Sequence, residues 1–257
     1  MTLDVSLIPM LQDNYGHLIV EPETGTVGVV DPPEAPPVLA ALAERGLGLD
    51  WILITHHHGD HIGGIPGLTA ATGARVVGPR ADQARVPGLT LALGDGERFA
   101  FGATSAVVMD VPGHTRGHIA FWFDRDQAVF AGDTLFSLGC GRMFEGTPQQ
   151  MWHSLARLRA LPGETRMFCA HEYTASNGRF AATIEPDNAD LRQRLRDVAD
   201  LRAAGQPTLP TTIAQECRTN PFLRVDVPAV AAAVGTQASD PVATFAALRR
   251  AKDGFKG

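Results

Sequence analysis

Residues 51–61 read WILITHHHGDH. An apolar run stops abruptly, and His56, His57, His58, Asp60 and His61 follow within six positions before Gly63-Gly64. A short apolar run bounded by turn residues reads as a buried strand. Side chains that leave a strand end stand on a rigid support while the loop aims them. In extended chain His56 and His58 share a face, because side chains alternate. Asp60 and His61 fall on the turn that follows and can point at a neighbouring position in space. One short segment can thus serve two metal ions, provided that the fold brings further ligands to it.

Three later positions meet that condition in type and setting. His114 in VPGHTRGH, Asp133 in VFAGDTLF and His171 in MFCAHEYT each follow an apolar, strand-like run and precede a polar turn. Taken singly, each reads as structural. Taken together they complete two three-residue sets plus one carboxylate between them. Imidazole and carboxylate donors without thiolate suit Zn(II), Fe(II) or Mn(II), and an incomplete shell leaves room for substrate, unlike a closed structural zinc site.

The first two-thirds of the chain alternates such runs with turn signals. Strands are expected at 51–55, 104–111, 128–131 and 166–170, with several shorter ones between, and helices at 36–45, 64–72 and 148–161. This pattern predicts stacked sheets covered by helices. Near residue 172 the texture changes. Leu191, Leu195, Val198 and Leu201 recur at helical steps within 188–204, and alanine-rich helical segments follow at 227–234 and 241–252. The expected division is a domain over 1–172 and a small helical domain over 173–257, with part of the loop 205–212 as a spacer.

Several function classes are excluded by what is missing. The net charge is −6, and no run of Lys and Arg is dense enough to follow a phosphate backbone, so no nucleic-acid partner is expected. No apolar stretch approaches the roughly 20 residues of a membrane span. The N-terminus has no basic segment ahead of its apolar portion, and Cys140, Cys169 and Cys217 are too widely spaced for a disulfide framework or thiolate zinc site. A cytoplasmic monomer is expected.

The segments THHHGDH, PGHTRGH, AGDTLF and CAHEYT, in that order, resemble the metallo-β-lactamase superfamily. DNY at 13–15, GCGRMFEGT at 139–147, HEYTASNGRFA at 171–181, NPFLR at 220–224 and RRAKDGFK at 249–256 narrow the resemblance to hydroxyacylglutathione hydrolases, the glyoxalase II family. That resemblance implies an α/β fold, a four-layer αββα sandwich followed by a small all-helical C-terminal domain. It implies that His56, His58 and His114 hold one divalent cation and Asp60, His61 and His171 a second, with Asp133 bridging. It also implies a glutathione thioester as the small-molecule partner, contacted by Arg142, Phe144, Tyr173, Arg249 and Lys252. Arg142 and Phe144 stand where some relatives have lysine and tyrosine.

The implied reaction is metal-dependent hydrolysis of S-(2-hydroxyacyl)glutathione, typically S-D-lactoylglutathione, to glutathione and D-lactate, the second step of methylglyoxal detoxification. Asp60 and Asp133 are the expected catalytic carboxylates. The closest rival is a mononuclear-iron persulfide dioxygenase, whose HxHxDH segment is similar. Outside the resemblance, Arg249 and Lys252 read as an ordinary solvated helix face, Asp31 as a turn former, His118 as packing or ligand support, and His17 and His153 as structural. Cys140 reads as loop packing, since no base accompanies it.

Overall fold

Short runs buried on both faces build much of the first half of the chain. In the computed structural model, which describes residues 2–257, strands β1 (Asp4–Met10), β2 (Asn14–Val20) and β3 (Val27–Val30) pair antiparallel. They are followed by β4 (Trp51–Leu53), β5 (Arg75–Pro79) and β6 (Leu89–Leu93), joined in parallel. Parallel neighbours need crossovers. Helix α1 (Ala35–Arg45) supplies the one between β3 and β4, and α2 (Gly59–Ile62) with α3 (Ile65–Thr72) the one between β4 and β5.

One face of this sheet, with Leu18, Val27, Val29, Ile52, Ile54 and Val76, packs under Val38 and Leu42 of α1 and Ile65 and Leu68 of α3. The opposite face meets a second, antiparallel sheet made of β7 (Arg98–Phe101), β8 (Thr104–Asp110), β9 (Ile119–Phe123) and β10 (Ala128–Gly132). Trp51 stands edge-on to Phe99 at 4.9 Å. Gly28 is required where the two sheets are closest: a Cβ there would lie 2.9 Å from the Phe101 ring and 3.1 Å from Leu53. Phe99, Phe101, Phe121, Phe123 and Phe130 fill this layer and are fully buried.

These elements form one compact unit, the chain up to Asp110 together with Gly117–Gly132; the other comprises Val111–Arg116 and Asp133–Gly257. The second unit contains a hairpin of β11 (Leu135–Phe136) and β12 (Gly139–Cys140), helix α4 (Pro148–Arg159) and the pair β13 (Arg166–Cys169) and β14 (Thr211–Thr212). Its other helices are α5 (Thr174–Ile184), α6 (Ala189–Ala203), α7 (Ile213–Thr219), α8 (Pro228–Ala233) and α9 (Pro241–Asp253). Side-chain caps mark several starts. Thr147 forms a reciprocal capping box with Gln150 at α4, and Asn188, Thr212 and Asp240 accept from the first turns of α6, α7 and α9.

Helix α5 carries no clean apolar period and was not singled out in the sequence. Its Gly178 lies against Leu195, with no room for a Cβ, so close packing on α6 makes the helix where sequence pattern does not. The stretch 205–212, expected in part as a spacer, is anchored at two points. Thr208 donates through its amide and hydroxyl to Glu172, at 2.8 and 2.7 Å, and Thr211 donates to Glu216 at 2.9 Å. Among the described residues no helix is long and apolar enough to cross a membrane.

Replacing Phe121 by Ala should lower stability by about 3–5 kcal/mol, the usual cost of emptying a fully buried aromatic site. Urea unfolding should show a lower midpoint at unchanged slope.

Candidate metal centre

Buried hydrogen bonds behind the loop after β4 fix the tautomer of His56. Asp31, just past β3 and at φ +48°, accepts from the Thr55 amide (2.8 Å) and hydroxyl (2.6 Å). Having spent its proton on Asp31, the Thr55 hydroxyl is left to accept, and His56 Nδ1 lies 3.1 Å from it. His56 therefore carries its proton on Nδ1 and its lone pair on Nε2. The second oxygen contact of Asp31 is to His61, whose Nδ1 is 3.1 Å from Oδ2. A carboxylate behind a histidine in this way orients the ring and raises its basicity as a ligand. Asp31 is thus more than a turn former: directly or through Thr55, it governs two rings.

The donor atoms on the other side of these rings converge. His56 Nε2 faces His58 Nδ1 at 3.1 Å, close to the roughly 3.3 Å edge of a tetrahedral zinc site with bonds of about 2.0–2.1 Å. His61 Nε2 lies 3.6 Å from Asp60 Oδ2, and Asn14 donates to the Asp60 carboxylate and carbonyl, both at 3.2 Å. Asp31, His56 and His61 themselves offer ligand atoms within 4.8 Å of one another. The neighbouring histidines do not join. His57 turns away to Asp82, 2.8 Å from its Nδ1, and His118 stacks on His56 with ring centres 4.6 Å apart. Gly132, at φ +49°, leaves the space that the Thr55 hydroxyl and the His118 ring occupy.

The second unit holds the other three candidates, again at strand ends. His114 Nδ1 donates to the Arg142 carbonyl at 2.8 Å, which places its lone pair on Nε2. That Nε2 is 3.4 Å from Asp133 Oδ2, and His171 Nε2 is 3.5 Å from the same oxygen. Gly141 passes against the Asp133 carbonyl with no room for a Cβ. An aromatic ring flanks each histidine: Phe144, 64% exposed, stands edge-on to His114 at 5.2 Å, and Tyr173 stacks on His171 at 4.7 Å. Neutral imidazoles with lone pairs aimed past a carboxylate are the donor chemistry of a divalent-cation site.

In the same unit, Arg249 and Lys252 of α9 do not lie on the solvated helix face that their spacing alone would suggest. Arg249 is 4% exposed and donates to the Cys140 carbonyl (2.9 Å) and, through Nε and Nη2, to Asp253 (3.1 and 2.9 Å). Arg142 Nε lies 3.7 Å from that Asp253 oxygen. Lys252 donates to the Ser176 carbonyl and sits over Phe180 and Phe255. Burial, with Arg249, Arg179 and Arg142 nearby, brings its amine down to about 8. Burial pushes the Cys140 thiol up to about 11 and that of Cys169 to about 12, so neither is a nucleophile at neutral pH. His17 is buried against Phe130 as expected, whereas His153 is exposed on α4. The contacts of Asp31, Asn14, Asp82 and Asp253 were missed from sequence: those of Asp31 to Thr55, Asn14 to Asp60 and Asp82 to His57 span 24, 46 and 25 residues, and that of Asp253 to Arg249 lies within one helix whose burial no local pattern shows.

Residues 18–171 match the metallo-beta-lactamase superfamily, and residues 172–255 match the hydroxyacylglutathione hydrolase C-terminus. A hydroxyacylglutathione hydrolase from Methylococcus capsulatus is 55% identical over 255 residues, which is 99% of this chain and 100% of the relative. The crystal structure of ETHE1 from Myxococcus xanthus aligns with a TM-score of 0.67 at 25% identity, over 96% of this chain and 90% of that one. That of TTHA1623 in a di-iron-bound form aligns with a TM-score of 0.58 at 28% identity, over 86% and 100%. The expected fold class, a metallo-β-lactamase α/β fold followed by helices, is borne out.

Asp31→Asn keeps the size of the side chain but turns an amide N–H toward donors that now meet a carboxylate. Zinc affinity, measured by chelator competition on metal-stripped protein, should fall about 10- to 100-fold. Unchanged affinity would refute the role given to Asp31.

Proposed function

The chain belongs to the hydroxyacylglutathione hydrolases of the metallo-β-lactamase superfamily, and from that premise we propose that it cleaves S-(2-hydroxyacyl)glutathione thioesters, S-D-lactoylglutathione foremost, at a centre of two divalent cations. It is a thioester hydrolase. His56, His58 and His114 would hold one cation and Asp60, His61 and His171 the other, with Asp133 shared. The observation that carries this reading is the position of Asp133 Oδ2, nearly equidistant from His114 and His171, one ligand of each set. The donor set accepts zinc, iron or manganese, and all three are carried forward.

Two such cations, when bound, lower the pKa of water toward roughly 7 and polarise the thioester carbonyl. The protein's own groups supply the rest. Asn14 holds the Asp60 carboxylate, which can accept a hydrogen bond from the attacking water and orient it. Arg142, Arg249 and Lys252 offer cations to a tripeptide that carries two carboxylates, with Tyr173 and Phe144 as apolar walls. Asp253, paired with Arg249, keeps that guanidinium in place. Glutathione leaves as a thiolate whose solution pKa is roughly 8–9, so no dedicated acid is required. The products are glutathione and D-lactate, which close methylglyoxal detoxification. Glutathione use and three free cysteines fit a reducing, cytoplasmic setting.

The rival mononuclear-iron persulfide dioxygenase gains no support. The match at 172–255 and the relative at 55% identity are both to hydroxyacylglutathione hydrolases.

Purified protein should hydrolyse S-D-lactoylglutathione and contain close to two equivalents of metal by elemental analysis. Oxygen uptake with glutathione persulfide in place of hydrolysis would refute the assignment. Asp133→Ala should abolish turnover while leaving the circular dichroism spectrum unchanged.

The pH dependence has a defined sign. Lys252 is cationic below about 8 and neutral above it. KM for the thioester should therefore rise as pH rises through 8, and Lys252→Arg, charged throughout, should flatten that rise.

A further inference from the structure

The hairpin β11–β12 has only Ser137 and Leu138 at its turn, and Leu138 is held at φ +59°, a left-handed conformation that a side chain disfavours. Partners from outside the hairpin also hold the turn. Asn177 donates to the Ser137 carbonyl at 3.2 Å and Arg194 to its hydroxyl at 3.4 Å, and most of the remaining contacts come from Glu216, within α7, and Asn220, just past its end, both fully buried. Glu216 Oε2 accepts from the Leu138 amide at 2.8 Å, and Oε1 accepts from the Ser137 hydroxyl at 3.0 Å. Asn220 donates to the carbonyls of Phe136 (3.0 Å) and Gly139 (2.9 Å), and to Glu216 itself (3.1 Å). Burial raises the carboxyl of Glu216, against the four donors around it.

The chain on either side of this hairpin is where the chemistry was placed. Asp133 lies two residues before β11, and Cys140, whose carbonyl receives Arg249, is the last residue of β12. We propose that Glu216 and Asn220 are positioning residues for the reaction: by clamping both strands and the strained turn of the hairpin, they set Asp133 relative to His114 and His171 and hold the carbonyl on which Arg249 rests. Neither residue touches substrate. Each acts through backbone that a small displacement would carry away from the metal ligands and the glutathione cations together, as outer-shell partners of a metal site do. This inference rests on the roles given to Asp133 and Arg249 above.

Glu216→Ala, Asn220→Ala and Glu216→Gln are compared with the wild type in three measurements: zinc affinity of the metal-stripped protein, glutathione affinity by calorimetry, and kcat and KM well below the melting temperature. Both alanine variants should lose about 10- to 100-fold in zinc affinity and bind glutathione more weakly, with kcat reduced and KM raised. Glu216→Gln should restore both affinities, because its carbonyl still accepts from Leu138 and Asn220 while the Ser137 and Thr211 hydroxyls can turn to accept from its amide. Should Glu216→Ala not fold, Asn220→Ala, which keeps the carboxylate, gives the same readouts. Alanine variants that melt earlier yet match the wild type in zinc and glutathione affinity would overturn the proposal, leaving a purely structural network. A wild type that binds zinc but leaves S-D-lactoylglutathione intact would overturn the hydrolase assignment instead, without touching the affinity comparison.

Discussion

The buried carboxylate of Asp31 decides what the histidine loop can do. Imidazole is a ligand only through a nitrogen that carries no proton, and which nitrogen that is depends on the partner behind the ring. Asp31 settles the matter for His61 by proximity and for His56 through the Thr55 hydroxyl, one acceptor imposing direction on a chain of donors. Burying a carboxylate is costly unless donors surround it. Here those donors are the groups whose orientation matters, so the same contacts satisfy the charge and prepare the ligands.

The second unit reaches the same state by another route. A backbone carbonyl, that of Arg142, takes the place of the carboxylate behind His114. The residue supplying that carbonyl also carries an exposed guanidinium, so the orientation of His114 and a surface cation share one stretch of chain. Asp253 has a comparable double relation, accepting from Arg249 and lying near Arg142.

What could be read in advance follows from how far each contact reaches along the chain. Ligand candidates at strand ends were legible because apolar runs and turn residues are local, and His56, His58 and Asp60 lie within one loop. The buried strands and α6, with their clear periods, were legible for the same reason. Helix α5 was not, because Gly178 and short polar residues mask its period and its stability comes from α6. Asp82 behind His57, Glu216 behind Leu138 and Cys140 beneath Arg249 join positions 25, 78 and 109 residues apart, and no local pattern announces such pairs. Arg249 shows the limit well: its spacing suits a surface helix, and only packing reveals a buried guanidinium.

The protonated, enclosed state of Cys140 and Cys169 bears on life beside a thiol product. Each catalytic cycle sets free a molecule of glutathione, whose oxidised dimer exchanges readily with any accessible thiolate. Exchange requires the ionised sulfur of the protein as attacking partner, and thiols held at about 11 and 12 supply almost none near neutrality. Cys140 and Cys169 are therefore kept from mixed-disulfide formation with oxidised glutathione.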